Sequence, residues 1–355
     1  MAQHHSYLKR PSAIAWRTSA VIPWRVPQLC ASYQIPQNLP GGGVIGIVEL
    51  GGGWSWNDVG RFFGGINMPV PKIGDFSVDA GAGNSPGSDA DAEVALDIQI
   101  AGAVYTYATG RPATIRVYWA NNDLDAIMRC VQRATADGCD VCSISWGSDE
   151  ANWGADAAVR LENTVMSGVA IGMITFAASG DNDSSDGGPG AANVDLPASA
   201  LHVIGCGGTK RPHNPSLAHP EVVWNHNPGN PDGEGTGGGY STIWPMPPWM
   251  AGAPGTMRMV PDLAANADPN TGYHITLNGI DIVVGGTSAV APLYAGLFAA
   301  MGRKLGFVAP TLWQNHLAFN DITKGDNGKY RAWSGPDPCT GLGSPRGTKI
   351  AALFG

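Results

Sequence analysis

The sequence is poor in charge. Asp, Glu, Lys and Arg make up 14% of its 355 residues, and 21 basic residues face 29 acidic ones. A net charge of −8 offers no basic face for a phosphate backbone, which argues against a nucleic-acid partner. Long apolar runs are absent too. None approaches the ~18 residues that a membrane-spanning helix needs. The N-terminal "MAQHHSYLKRPSAIAW" lacks the apolar centre of a signal peptide, and its His4 and His5 are too few for a tag. Cysteines are few and scattered: Cys30, Cys130, Cys139, Cys142, Cys206 and Cys339. A domain this large needs no disulfide staples. "CDVC" has redox or zinc spacing, but no second pair completes a zinc site. Cys142 enters an apolar run and reads as a buried strand residue.

Glycine is abundant instead: 50 of 355 residues, about twice the usual ~7%. Without a short repeat, this means tight turns and loops. A hydrophobic content of 43% allows a sizeable core. Short apolar runs at 44–50, 114–120, 141–147, 173–179 and 202–208 read as buried parallel strands. Segments of helical period lie between them, at 92–105, 123–138 and 155–172, with Asp123 as expected N-cap and Gly138 as stop. Alternating strands and helices predict an α/β fold, one parallel central sheet flanked by helices. After residue 210 the texture changes: residues 211–250 are rich in Pro, Gly and Asn and read as a loop-rich insertion. The expected organisation is one domain over 1–355, with 1–26 as an N-terminal extension.

"GGTSAVAP" (285–292) places Ser288 on a glycine turn at the start of a helix. A serine hydroxyl is inert at neutral pH unless a base takes its proton. Histidine is the usual base, yet none of the eight lies in a motif. No His-Gly-Thr-His helix start of the subtilisin type occurs. His202 reads as a satisfied strand residue, and His213, His219 and His226 read as solvated loop residues. His274 and His316 stand alone. The better candidate is "DAEVALDIQIAGA". Glu93 and Asp97, spaced i, i+4, share one helix face among apolar neighbours. Alone, such a pair reads as a partly exposed acidic pair without function. Beside a serine turn the balance reverses. Two close carboxylates share a proton, and a Glu can pass one between serine and leaving amine. A carboxylate, titrating near ~4.3 against ~6.5 for imidazole, does this in acid. "FAASGDNDSSDGG" adds Asp181 at a turn after a strand. Its plain reading is turn formation. Its functional reading is a protonated carboxyl donating to an oxyanion.

These blocks resemble the sedolisin family, the serine-carboxyl peptidases, and most of all its kumamolisin-like members. The residues that carry the likeness are "AEVALD", "SISWG", "AASGD", "GGTSAVAP" and "FNDITKGDNGKYRAWSGPDPCTGLGSP", in family order over roughly residues 27–355. The resemblance implies a subtilisin-like fold and an endopeptidase. Ser288 is then the nucleophile, Glu93 the general base and acid, Asp97 its support and Asp181 the oxyanion partner. Glu49 in "VELGGG" and Trp146 match an extension of the triad. Trp146 as a plain core residue is the competing reading. Asp195 matches an acidic residue near the substrate cleft that favours a basic side chain. A turn role is its competing reading.

The resemblance also implies one structural Ca2+ in a C-terminal loop region, held by Asp321 and Asp337 and by the backbone carbonyls of Ile322, Trp333 and Gly335. Trp333 stands where family members carry Gly, which a carbonyl ligand tolerates. Oxygen-only ligation suits calcium. "KGDNGK" lacks the bidentate Glu of an EF-hand. Expected partners are peptides or proteins, with no nucleic acid, no membrane and a monomeric state. The family implies an extracellular location and a prodomain, neither of which this sequence signals, so a cytoplasmic location stays open. Two alternatives remain: an inactive peptide-binding homologue, and a subtilisin-type protease with an unplaced histidine.

Overall fold

Seven parallel strands, joined by a short antiparallel one at Val222–Val223, form the eight-stranded central sheet of the computed structural model, which describes residues 22–355 apart from 217, 219, 251 and 303. His4, His5, His219 and most of the 1–26 extension lie outside the described residues. The parallel strands are β1 (Val44–Glu49), β2 (Lys72–Ser77), β3 (Thr114–Trp119), β4 (Val141–Ile144), β5 (Ile174–Ala178), β6 (Val203–Lys210) and β7 (Leu263–Asn266). Their order across the sheet is β7-β6-β5-β4-β1-β3-β2, every pair parallel. The chain enters at the middle and builds outward on both sides. The direction of winding therefore changes next to β1, where open α/β sheets place their ligand crevice, outside the carboxyl ends of the strands. Glu49 ends β1, Ser145 and Trp146 follow β4, and Asp181 follows β5.

The five expected strands all form, with shifted ends. β4 stops at Ile144, so residues 145–147 leave the sheet. β6 starts after His202 and runs on to Lys210. Two strands went unread. β2 is an edge strand, polar and half exposed, with no apolar run to show. β7 is the four residues "LAAN", poor in β-formers, held by parallel pairing to β6. The region after 210 is also more regular than expected. Gly239–Pro245 pairs with Met257–Val260, and Tyr273–Leu277 with Ile280–Val284. The second hairpin turns on Asn278–Gly279, both at positive φ (52° and 74°), the dipeptide that two-residue turns demand.

Helices cover both faces: α1 (Trp56–Gly65), α2 (Asp91–Thr109), α3 (Ala126–Ala136), α4 (Ala155–Ala170) and α5 (Val290–Ala300). α3 is amphipathic, burying Ile127, Cys130, Val131 and Ala134. It starts after Asp125 rather than after the expected Asp123, whose carboxylate instead accepts the Asp125 N–H at 2.9 Å. Gly138, at φ +74°, follows its end as expected. α2 and α5 differ, being buried all round and packed on each other. Gly296 makes their approach possible, since a Cβ there would stand 2.5 Å from the Ala101 carbonyl oxygen. α2 carries Glu93 and Asp97, and the turn before α5 carries Ser288. The helix–helix contact thus sets the distance between serine and acids. All six cysteines are free and buried, and Cys142 lies in β4.

One buried ion pair locks the far side. Arg258, fully buried, donates to both Asp262 oxygens at 2.9 and 2.6 Å, and Asp262 also accepts from Gly205 N–H and Trp313 Nε1. Asp262→Ala would leave a guanidinium without its counter-charge. Urea unfolding should show a loss of about 3–5 kcal/mol. A loss below ~1 kcal/mol would contradict this account of the pair.

Candidate active site

Glu49, Glu93, Asp97, Asp181 and Ser288 are each at most 1% exposed. Burial at this level is costly for a carboxylate unless it is hydrogen-bonded, paired or protonated. The structure supplies hydrogen bonds. Trp146 Nε1 donates to Glu49 Oε2 at 3.0 Å. Ser145 Oγ donates to Asp97, lying 2.9 and 3.0 Å from its two oxygens. Burial first, and then the charge of Glu93, push the Glu49 carboxyl well above the carboxylate range. Burial, then Glu49, then Glu93 do the same to Asp97. Glu93 therefore acts electrically on both neighbours. Glu49 and Asp97 are thus coupled to Glu93 in their titration.

Ser288 sits in a single 3-10 turn, Thr287–Ala289, directly before α5. Gly286 allows that turn: its φ is +117°, and a Cβ there would stand 2.7 Å from Asp181 Oδ2. Asp181 Oδ1 accepts from the Thr287 N–H (2.8 Å) and the Thr287 hydroxyl (2.7 Å), which fixes the carboxyl beside the serine turn. Ser288 Oγ is buried and has no hydrogen-bond partner among the described residues.

A narrow cleft opens beside Asp181, lined by Ser145 to Ser148, Gly180 to Asn182, Asp186 and Asp195, with no histidine among the described residues. Asp195 is buried at its edge. Its backbone pairs with Asp149, and burial and the Asp186 charge raise its carboxyl well above the ordinary range. The histidines are engaged elsewhere. His202 lies before β6 and contacts Glu162, so it is no strand residue. His213 stacks on Trp24 with ring centroids 4.0 Å apart. His226 is half-buried and paired rather than free in solvent. Asp268 and Glu234 flank it and lift it to about 9.

The C-terminal loop brings the two expected calcium carboxylates to one segment. Gly335 N–H donates to Asp321 Oδ2 at 2.9 Å, and Trp333 N–H bonds Asp337. Asp337 is fully buried, accepts from the Cys339 and Thr340 N–H groups, and is pushed to about 7 by burial. Ile322 is buried beneath this loop, and Trp333 is partly exposed.

The residues that motif reading missed are Ser145, Thr287 and Asp91. Asp91 accepts the N–H groups of Gly53 (2.9 Å) and Gly87 (2.6 Å), tying the loop after Glu49 to the start of α2. Each of the three stands within two residues of an expected site residue. Proximity was their only signal.

Comparison with known proteins fits this geometry. The subtilase family profile matches residues 80–318, the stretch holding Glu93, Asp97, Asp181 and Ser288. The chain belongs to the subtilase family. Within it, the chain is a kumamolisin-like sedolisin. It is similar to kumamolisin from Bacillus sp. (strain MN-32), with 40% identity over 90% of this chain and 61% of that one. Xanthomonalisin from Xanthomonas sp. (strain T-22) is 30% identical over 79% of this chain and 39% of that one. The chain thus spans less than two thirds of either relative. Pseudomonas sedolisin, solved with two molecules of pseudo-iodotyrostatin, superposes with a TM-score of 0.82 at 24% identity, over 95% of this chain and 99% of that one, and shows the same fold.

The raised and lowered carboxyls of this chain make its stability depend on pH. A carboxyl whose folded value is raised stabilises the fold fully below its unfolded value near ~4, and that stabilisation fades as pH rises through the folded value. Glu49, Asp97 and Asp195 are of this kind, as is Asp183, raised to about 7 chiefly by burial. Asp79 and Asp123 act oppositely: hydrogen bonds from Arg129 lower them, so their contribution fades in strong acid. The melting temperature should peak in weak acid and fall towards pH 8. Asp183→Asn should flatten that fall. A melting temperature that climbs steadily from pH 4 to 8 would contradict the assignment.

Proposed function

We propose that the protein is an acid-acting serine-carboxyl endopeptidase. The observation that carries this reading is the company Ser288 keeps: a buried cluster of three carboxylates, a fourth carboxyl at its turn, and beside that carboxyl a cleft that no described histidine lines. Ser288 Oγ attacks the peptide carbonyl while Glu93 takes its proton. Glu93 returns that proton to the departing amine, leaving the acyl group on Ser288. Water, deprotonated by Glu93, then releases the acid. Asp97 supports Glu93 by repelling a second negative charge or by sharing the proton. Glu49, held by Trp146, extends the cluster.

Asp181 in its protonated form donates to the oxyanion, with Oδ1 committed to Thr287 and Oδ2 carrying the proton. Ionised, it would repel the same charge, so the step belongs to acid solution. Asp195, in the cleft wall, selects a basic side chain just before the cleaved bond. Cleavage within chains follows the kumamolisin resemblance, as do an extracellular location and a monomeric state. Among the described residues no helix is long and apolar enough to cross a membrane.

Peptide hydrolysis from pH 2 to 8, with wild type beside Ser288→Ala and Glu93→Gln, tests the chemistry. An acid optimum lost in both variants, by at least ~10³-fold, is the expected result. A neutral optimum that survives Glu93→Gln would point to a histidine protease. No hydrolysis by wild type at any pH would favour a peptide-binding homologue.

The donor set of the C-terminal loop suits one structural calcium ion: two carboxylates, no soft ligand, and a buried Asp337 with no cationic side chain paired to it among the described residues. Asp321, Asp337 and the carbonyls of Ile322, Trp333 and Gly335 would hold it. Calcium should raise the melting temperature of wild type and leave Asp337→Ala unmoved. Equal responses in both would overturn the assignment.

A further inference from the structure

Residues 145 and 146 leave β4 side by side, and each gives one donor to a different buried acid. Trp146 serves Glu49. Ser145 serves Asp97, and its hydroxyl also lies 3.4 Å from the backbone carbonyl oxygen of Ser288. Three parts of the site therefore meet at one hydroxyl: the acid helix α2, the exit of β4 and the turn that carries the nucleophile. Ser145 is completely buried, so no water substitutes for it on the surface. A hydroxyl has one proton to give. Held between two carboxylate oxygens and a carbonyl, that proton ties Asp97 to the serine turn. We propose that Ser145 is a positioning residue of the reaction: its hydroxyl fixes Asp97 against the turn of Ser288 and sets how firmly the acid cluster holds its protons.

The proposal rests on the serine-carboxyl reading of the site. Its sign follows from the donor. A hydrogen bond given to a carboxylate favours the ionised form over the neutral acid. The groups that act on Asp97 are Glu93 on its own helix and Glu49 at the end of β1, both acidic, and Ser145 works against both. Without the hydroxyl, the cluster binds protons more tightly. Asp97 then keeps its proton to higher pH, so the ionised Asp97 that makes Glu93 a stronger base is reached only at higher pH, and Asp97 is free to swing.

The test compares wild type, Ser145→Ala, Ser145→Thr and Glu93→Gln, with kcat and KM measured from pH 2 to 8 and melting temperature in parallel. In Ser145→Ala, kcat should fall roughly tenfold, the scale of one lost hydrogen bond to a charged group, with KM little changed. The acid limb of kcat/KM should move to higher pH. Ser145→Thr, which keeps the hydroxyl, should restore the limb towards its wild-type position. An acid limb that stays in place in Ser145→Ala overturns the proposal, whatever happens to the melting temperature. If Glu93→Gln is inactive while that limb stays in place, only the role of Ser145 fails. If Glu93→Gln keeps its activity, the reading beneath it fails too.

Discussion

Three carboxylates, Glu49, Glu93 and Asp97, are buried together, and no cation is among the groups that act on Glu49 or Asp97. Like charges so close cannot all ionise in a low-dielectric interior. The cluster must hold protons or be relieved by neutral donors, and the structure shows the donors: an indole N–H for Glu49 and a hydroxyl for Asp97. Neutral donors moderate proton affinity without cancelling it, as a lysine or arginine would. Proton retention is thus built into the packing. An active site of this kind works where protons are plentiful.

The fold makes that space by stacking two helices that are apolar on every side. α2 and α5 lie against each other beneath the carboxyl ends of the strands, and Gly296 brings their backbones close. Gly286 does the equivalent work at the serine turn, leaving room for the Asp181 carboxyl. Either glycine replaced by alanine would push apart the groups whose distance decides the chemistry. The same reasoning explains the buried acids themselves. On so apolar a helix, Glu93 and Asp97 have no solvated face to occupy.

Much of this was legible in the sequence. The five apolar strand runs, the i, i+4 acid pair and the glycine-framed serine pointed to the α/β sheet and to the cluster, because burial leaves its mark as apolar runs and tight turns leave theirs as glycine. Edge strand β2 was illegible for the converse reason: its residues meet solvent and alternate without an apolar run. Asn278–Gly279 was a readable hairpin signal passed over. His226 was misread because partners far along the chain, such as Asp268, decide its environment. Ser145 left no mark beyond its place next to Trp146. Its importance comes from Asp97, 48 positions away, and only the folded chain joins them.

The account stands or falls on whether the buried acids keep protons beyond the ordinary carboxylate range. Carbon-13 detection of the Asp and Glu side-chain carboxyls across pH 3–8, with Glu49→Gln and Asp97→Asn used for assignment, measures this directly. The account predicts that Glu49 and Asp97 titrate well above ~4.3, and that replacing either one shifts the other. Two independent titrations near ~4, each indifferent to loss of the other, would contradict it.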